Sequence, residues 1–84
     1  MGLTTKQRLA ASAFENMPVA SEARLLAAWR KVVEAFDGAP PMMVAFSGVF
    51  RTSPEFADRM EAVRVEWFAK RGLPVLPMTG EPPE

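Results

Sequence analysis

Apolar residues recur along this chain in three stretches at helical spacing, and once in a run with almost no polar partner. In the first stretch Ala10, Ala13, Phe14 and Met17 fall at offsets 0, 3, 4 and 7, one narrow face of a helix. Thr4-Thr5-Lys6-Gln7 opens it as a capping box: the threonine hydroxyl accepts from the Gln7 amide, and the glutamine reaches back to the Thr4 N–H. Pro18 disfavours helix at Met17 and closes the segment. So slight an apolar face predicts the most loosely held element of the fold.

The second stretch is stronger. Ser21 is a good N-cap, and Glu22 places a negative charge at the positive end of the helix dipole. Leu25, Trp29, Val32 and Phe36 then run at offsets 0, 4, 7 and 11, widened by Leu26 and Val33, while Arg24, Arg30, Lys31 and Glu34 fall mostly elsewhere. Asp37-Gly38 supplies the left-handed residue that ends a helix, and Pro40-Pro41 prevents its resumption.

The last stretch declares both of its ends. Ser53 caps, Pro54 takes the first helical position and Glu55 follows in the first turn. Phe56, Met60, Val63 and Trp67 form the stripe, Glu55/Arg59 and Glu66/Lys70 are i,i+4 pairs, and Lys70-Arg71-Gly72 closes the helix. Trp67 and Phe68 are adjacent, about 100° apart, so both cannot point at the centre of one stripe. With Trp67 in the stripe, Phe68 is expected at its margin beside Ala57 and Arg64, and Val65 nearly opposite. Both Phe68 and Val65 are therefore candidates for contact beyond the domain.

Between them lies the uncharged run from Gly38 to Phe50. As a helix it places Met42, Phe46, Val49 and Phe50 on one face and leaves Met43, Val44 and Ala45 on the other, so it would be buried nearly all round. As a strand it alternates Met42, Val44, Phe46 and Phe50 against Met43, Ala45, Ser47 and Val49, with Gly48 interrupting. Neither flank offers a second alternating run to pair with such a strand, which favours the helix. It is expected to form the centre of the core, clasped through Trp29, Phe36, Met60 and Trp67. Three short helices cannot cover it completely, and methionine adapts to irregular partners. Met42, Met43 and Val44 thus join Val65 and Phe68 as candidate protein-interaction residues.

The predicted fold is all-α, a small bundle of three to four short helices over residues 1–72, followed by an extended Pro-rich tail over 73–84. In that tail Leu73, Val75 and Leu76 are expected to strap the apolar stripe. Pro74-Val75-Leu76-Pro77 also has the bare PxxP spacing of polyproline ligands, without a flanking basic residue closer than Arg71.

Composition narrows the chemistry. At 84 residues without cysteine, the domain is too small for a large core and has no disulfides to supplement it. Histidine and tyrosine are also absent, which removes the usual acid-base group, the thiol nucleophile and the common zinc ligands. No enzyme activity, cofactor or metal is expected. Glu55, Asp58 and Glu61 recur every three residues, but such a row drifts around a helix rather than converging on a metal ion.

The 10 basic and 10 acidic side chains cancel, so no long-range field draws nucleic acid to the chain. A local alternative is a small helix-turn-helix-like DNA-binding regulator using Arg24, Arg30 and Lys31, with Lys6 and Arg8 nearby. Its second helix, however, carries more Leu, Ala and Trp than base-reading side chains. The apolar run falls well short of the roughly 20 residues that span a bilayer, and neither a signal peptide nor a myristoylation signal is legible, which predicts a cytoplasmic protein.

With 49% hydrophobic residues in so small a domain, the expected function is a non-enzymatic protein-binding module occupying a surface on a larger assembly. A phage-type inhibitor of host machinery, of the anti-CRISPR or anti-restriction class, is the finer form of that expectation. A structural subunit forming a homodimer is the other alternative.

Overall fold

The computed structural model describes residues 3–18 and 21–78. Among these, four helices follow one another: α1 (Thr5–Asn16), α2 (Glu22–Ala35), α3 (Met42–Arg51) and α4 (Pro54–Lys70). The fold is all-α. Both α2 and α3 lie between α1 and α4, each packing on both of them.

The helix ends follow local chemistry closely. The capping box at Thr4 forms in both directions, with Gln7 N–H donating to Thr4 Oγ1 at 3.1 Å and Thr4 N–H to Gln7 Oε1 at 3.0 Å. Gln7 Nε2 also donates to the Ala35 carbonyl, tying the start of α1 to the end of α2. Ser21 Oγ accepts from the Arg24 amide. Helices α2 and α4 end in the same motif: Gly38 N–H reaches the Val33 carbonyl and Leu73 N–H the Phe68 carbonyl, across Asp37 and Gly72 in the left-handed region. At the first of these ends Asp37 (φ 53°) takes the cap conformation, and Gly38 follows at φ 90°.

Ser53 precedes α4 as expected, but its side chain makes no capping bond to the backbone. The Glu55 backbone N–H first, then the nearby Ser53 hydroxyl, and then Arg59 hold the Glu55 pKa below its ordinary value. A lowered folded-state pKa adds stability that is complete above the ordinary carboxylate pKa and disappears as pH falls through the lowered one. Glu55→Gln is therefore expected to flatten the acid limb of the stability profile at pH values below the ordinary carboxylate pKa, measured by urea unfolding at a series of pH values. Arg59 does not form its expected helical pair with Glu55; it donates to Glu22 across the α2–α4 interface at 3.0 Å.

Phe14, Leu25, Trp29, Val32, Val33 and Phe56 are fully buried. The Phe14 and Trp29 rings meet at 5.2 Å, and the Trp29 indole N–H donates to the Met60 carbonyl at 3.0 Å. On α1 the buried alanine is Ala11, while Ala13 is exposed. This helix, expected to be loosely held, is anchored at its C-terminal end by Arg51 of α3. The guanidinium donates to the carbonyls of Met17, Phe14 and Ser47, and so satisfies helix-end acceptors with a positive charge.

The expectation that α3 is buried nearly all round is corrected. Its inward residues are the small ones, Val44, Ala45 and Gly48. A Cβ on Gly48 would lie 2.6 Å from Phe14 Cζ, so this glycine is what lets α3 approach the Phe14 ring. The core is already filled by Phe14, Trp29 and Phe56, and the bulky face of α3 is turned away from it.

A second correction concerns α4. Phe68, expected at the margin, is buried, and Trp67, expected in the stripe, is only partly buried. Phe68 seats its ring on Gly38, where a Cβ would fall 2.5 Å from Phe68 Cζ. Arg64 is buried beside it at 2% exposure. Its guanidinium donates to the Gly38 carbonyl at 2.8 Å, to Glu61 Oε1 at 2.7 Å and to the Leu76 carbonyl, so one side chain clamps the α2–α3 loop, its own helix and the tail.

Residues 73–78 run without helix, and the expected strap is only partly of the expected kind. Leu73, Val75 and Leu76 remain about half exposed, whereas Met78 packs against the core where α3 meets α4. The rest of the tail, 79–84, and the loop positions 19 and 20 lie outside the described residues.

Candidate functional site

The outward side of α3 carries Met43, Phe46 and Phe50, spaced i, i+3 and i+7 on one face of the helix. Met43 and Phe50 are each 81% exposed and Phe46 42%. The two phenylalanine rings pack against each other at 5.7 Å and 44°. Helical periodicity alone could not assign this face: Phe46 and Phe50 read as core residues because Ser47, Gly48 and Arg51 lie opposite them. The signal that would have found them is Gly48, which marks the side of closest approach.

Of the five predicted interaction residues, the structure leaves Met43 and Val65 exposed and Met42 partly covered. Val44 and Phe68 are corrected. Val44 is 6% exposed because it belongs to the small face against the core, and Phe68 is 1% exposed because Gly38 makes room for its ring. Val65 lies on α4, outside the α3 cluster.

The predicted nucleic-acid residues divide between two grooves. Arg24 and Lys31 border a groove against α1 with Ala10, Ala13 and Met17. Arg30 and Lys31 border another, between α2 and α4, with Trp67, Lys70 and Arg71. Neither of these two grooves holds all three. On α2, Leu25, Ala28, Trp29, Val32 and Val33 are buried against its neighbours, while Arg24, Arg30 and Lys31 are exposed.

Glu61, one of the three acidic residues in the row along α4, is committed to Arg64, and no group of three or more acidic side chains among the described residues is placed to hold a metal ion. No helix of the described residues is long and apolar enough to cross a membrane.

Family models, curated proteins and solved structures were compared with this chain, and none matches. The α3 face offers two aromatic rings and a methionine, residue types enriched where proteins meet.

Proposed function

We propose that this chain is a non-enzymatic protein-binding module that occupies a surface on a larger protein through the outward face of α3. The observation that carries the reading is the inversion of α3: its small residues fill the core and its large ones, Met43, Phe46 and Phe50, face outward. Fully covering a Phe or Met side chain contributes about 1.5–3 kcal/mol, so this one helix presents several kcal/mol of unused burial. The absence of histidine, cysteine and tyrosine supports a role without covalent catalysis, and the reading needs neither cofactor nor metal.

Phe50→Glu tests it. The side chain is largely exposed, so thermal stability is expected to change by no more than about 0.5 kcal/mol, while a protein captured by the wild type from a cell extract is lost. Capture undiminished by Phe50→Glu would overturn the proposal. Analytical ultracentrifugation separates the alternative, because a wild-type dimer that Phe50→Glu dissociates would make the occupant a second copy and the chain a structural subunit.

The finer proposal is a cytoplasmic inhibitor of phage type, of the anti-restriction or anti-CRISPR class. Its support is the small size, balanced charge and free apolar face. Expression of the wild type, but not of Phe50→Glu, would then protect incoming DNA from restriction or CRISPR interference.

A further inference from the structure

A second apolar surface adjoins the α3 face. A groove runs between α3 and α4, lined by Ala45, Phe46 and Val49 from the first and by Ala57 and Met60 from the second, with Trp29 also against it. Phe46 belongs both to this groove and to the outward cluster, where its ring packs on Phe50, so the two surfaces are continuous. The one charged lining residue, Glu61, is already bonded to Arg64.

Met78 of the tail completes the lining. It is partly buried, whereas residues 73–77 are all exposed, so a single side chain seats this segment on the core. From Pro74 to Met78 one hydrogen bond among the described residues ties the segment to the helices, donated by Arg64 to the Leu76 carbonyl. A segment with so few contacts opens while the rest of the fold stays intact. Nor does Met78 fill the groove, because about 220 Å³ is open with its side chain in place. A bulkier apolar side chain gains dispersion contacts that the methionine leaves unmade, and the Trp29 and Phe46 rings favour an aromatic one.

We infer that the segment 73–78 is a displaceable strap: Met78 holds the α3–α4 groove in the free protein and yields it to an aromatic side chain of the protein that docks on the α3 face. The inference rests on the α3 reading for the presence of that protein. With the strap closed Met43 and Phe50 remain exposed, so a partner engages the outward face first and gains the groove afterwards. Molecules with the strap closed cannot accept the side chain, and the apparent affinity falls with the fraction that is open. The strap therefore tunes binding without blocking it.

Titration of the full chain with a peptide tests the inference, read on the methyl resonances of Ala45, Val49 and Ala57 by carbon-proton NMR. The probe is the capped peptide of residues 72–78 carrying Met78→Phe, and the unchanged peptide is its control. Met78→Ser protein, whose strap has lost its anchor, is expected to bind the probe saturably at a Kd on the order of 1 mM. Wild-type protein should bind it about fivefold more weakly or worse, and Met78→Phe protein, with the better-fitting ring on its own strap, should show no saturable movement. Met78 lies outside the four helices, so the variants keep the fold, and Met78→Ala repeats the test if Met78→Ser does not. Phe50 does not line the groove, and adding Phe50→Glu to Met78→Ser should leave probe binding unchanged. Failure of the α3 reading, seen as capture that survives Phe50→Glu, is thereby distinguishable from failure of the strap. The inference is overturned if Met78→Ser shows no saturable movement, if it binds no more tightly than the wild type, or if the unchanged peptide binds as tightly as the probe.

Discussion

Arg64→Ala is expected to lower stability by about 3 kcal/mol and to release the tail. The buried guanidinium makes three hydrogen bonds, and its removal strands the Gly38 carbonyl in a buried position. Bonds from a charged donor contribute about 1.5–3 kcal/mol each, and an orphaned buried acceptor adds its desolvation cost. Against this stands the desolvation of the guanidinium itself, which the variant recovers, and this keeps the sum well below three full bonds. For a domain of this size the loss is a large share of the total.

Arg64→Lys should not rescue it, because an ammonium cannot span three acceptors with the geometry of the guanidinium fork. Glu61→Gln should cost far less, since that carboxylate is about half exposed and screened by solvent. Urea unfolding gives the stability, and limited proteolysis between Leu73 and Met78 gives the release. A tail no more sensitive in Arg64→Ala than in the wild type would mean that Arg64 does not hold it.

Gly38→Ala is the second large effect, also about 3 kcal/mol, or a fall in Tm of more than about 10 °C. Two penalties coincide there. The added Cβ would lie 2.5 Å from Phe68 Cζ and 2.8 Å from Trp67 Cε3, and Phe68 is too deeply buried to swing away. The backbone also stands at φ 90°, where a side chain is strained. Gly72→Ala separates the two, because Gly72 has φ 67° but nothing within 4 Å of its Cβ position. That variant should cost only about 1 kcal/mol. Equal losses for Gly38→Ala and Gly72→Ala in calorimetry would show that the Phe68 contact contributes nothing.

The outward face of α3 is only half legible in the sequence. Helical spacing leaves Met43 available to a partner but puts Phe46 and Phe50 in the core and Val44 on the surface. The error has a single cause. On α3 the polar and small residues Ser47, Gly48 and Arg51 lie opposite Phe46 and Phe50, so the sequence points the two rings inward, whereas the close approach of Gly48 to Phe14 turns them outward. Trp67 and Phe68 pose the same problem on a smaller scale, since either ring could complete the α4 stripe.

What the sequence by itself determined was where each helix begins and ends. Thr4 with Gln7, Ser21, Pro54 and Gly72 act through backbone hydrogen bonds and φ angles within a few residues, so their effect does not depend on the rest of the chain. What only the tertiary structure decided was how the helices are turned about their own axes. Gly48 admits the Phe14 ring, Gly38 admits Phe68, and Arg64 finds carbonyls 26 and 12 residues away in sequence. Those choices depend on volume and on acceptors that exist only once the helices meet.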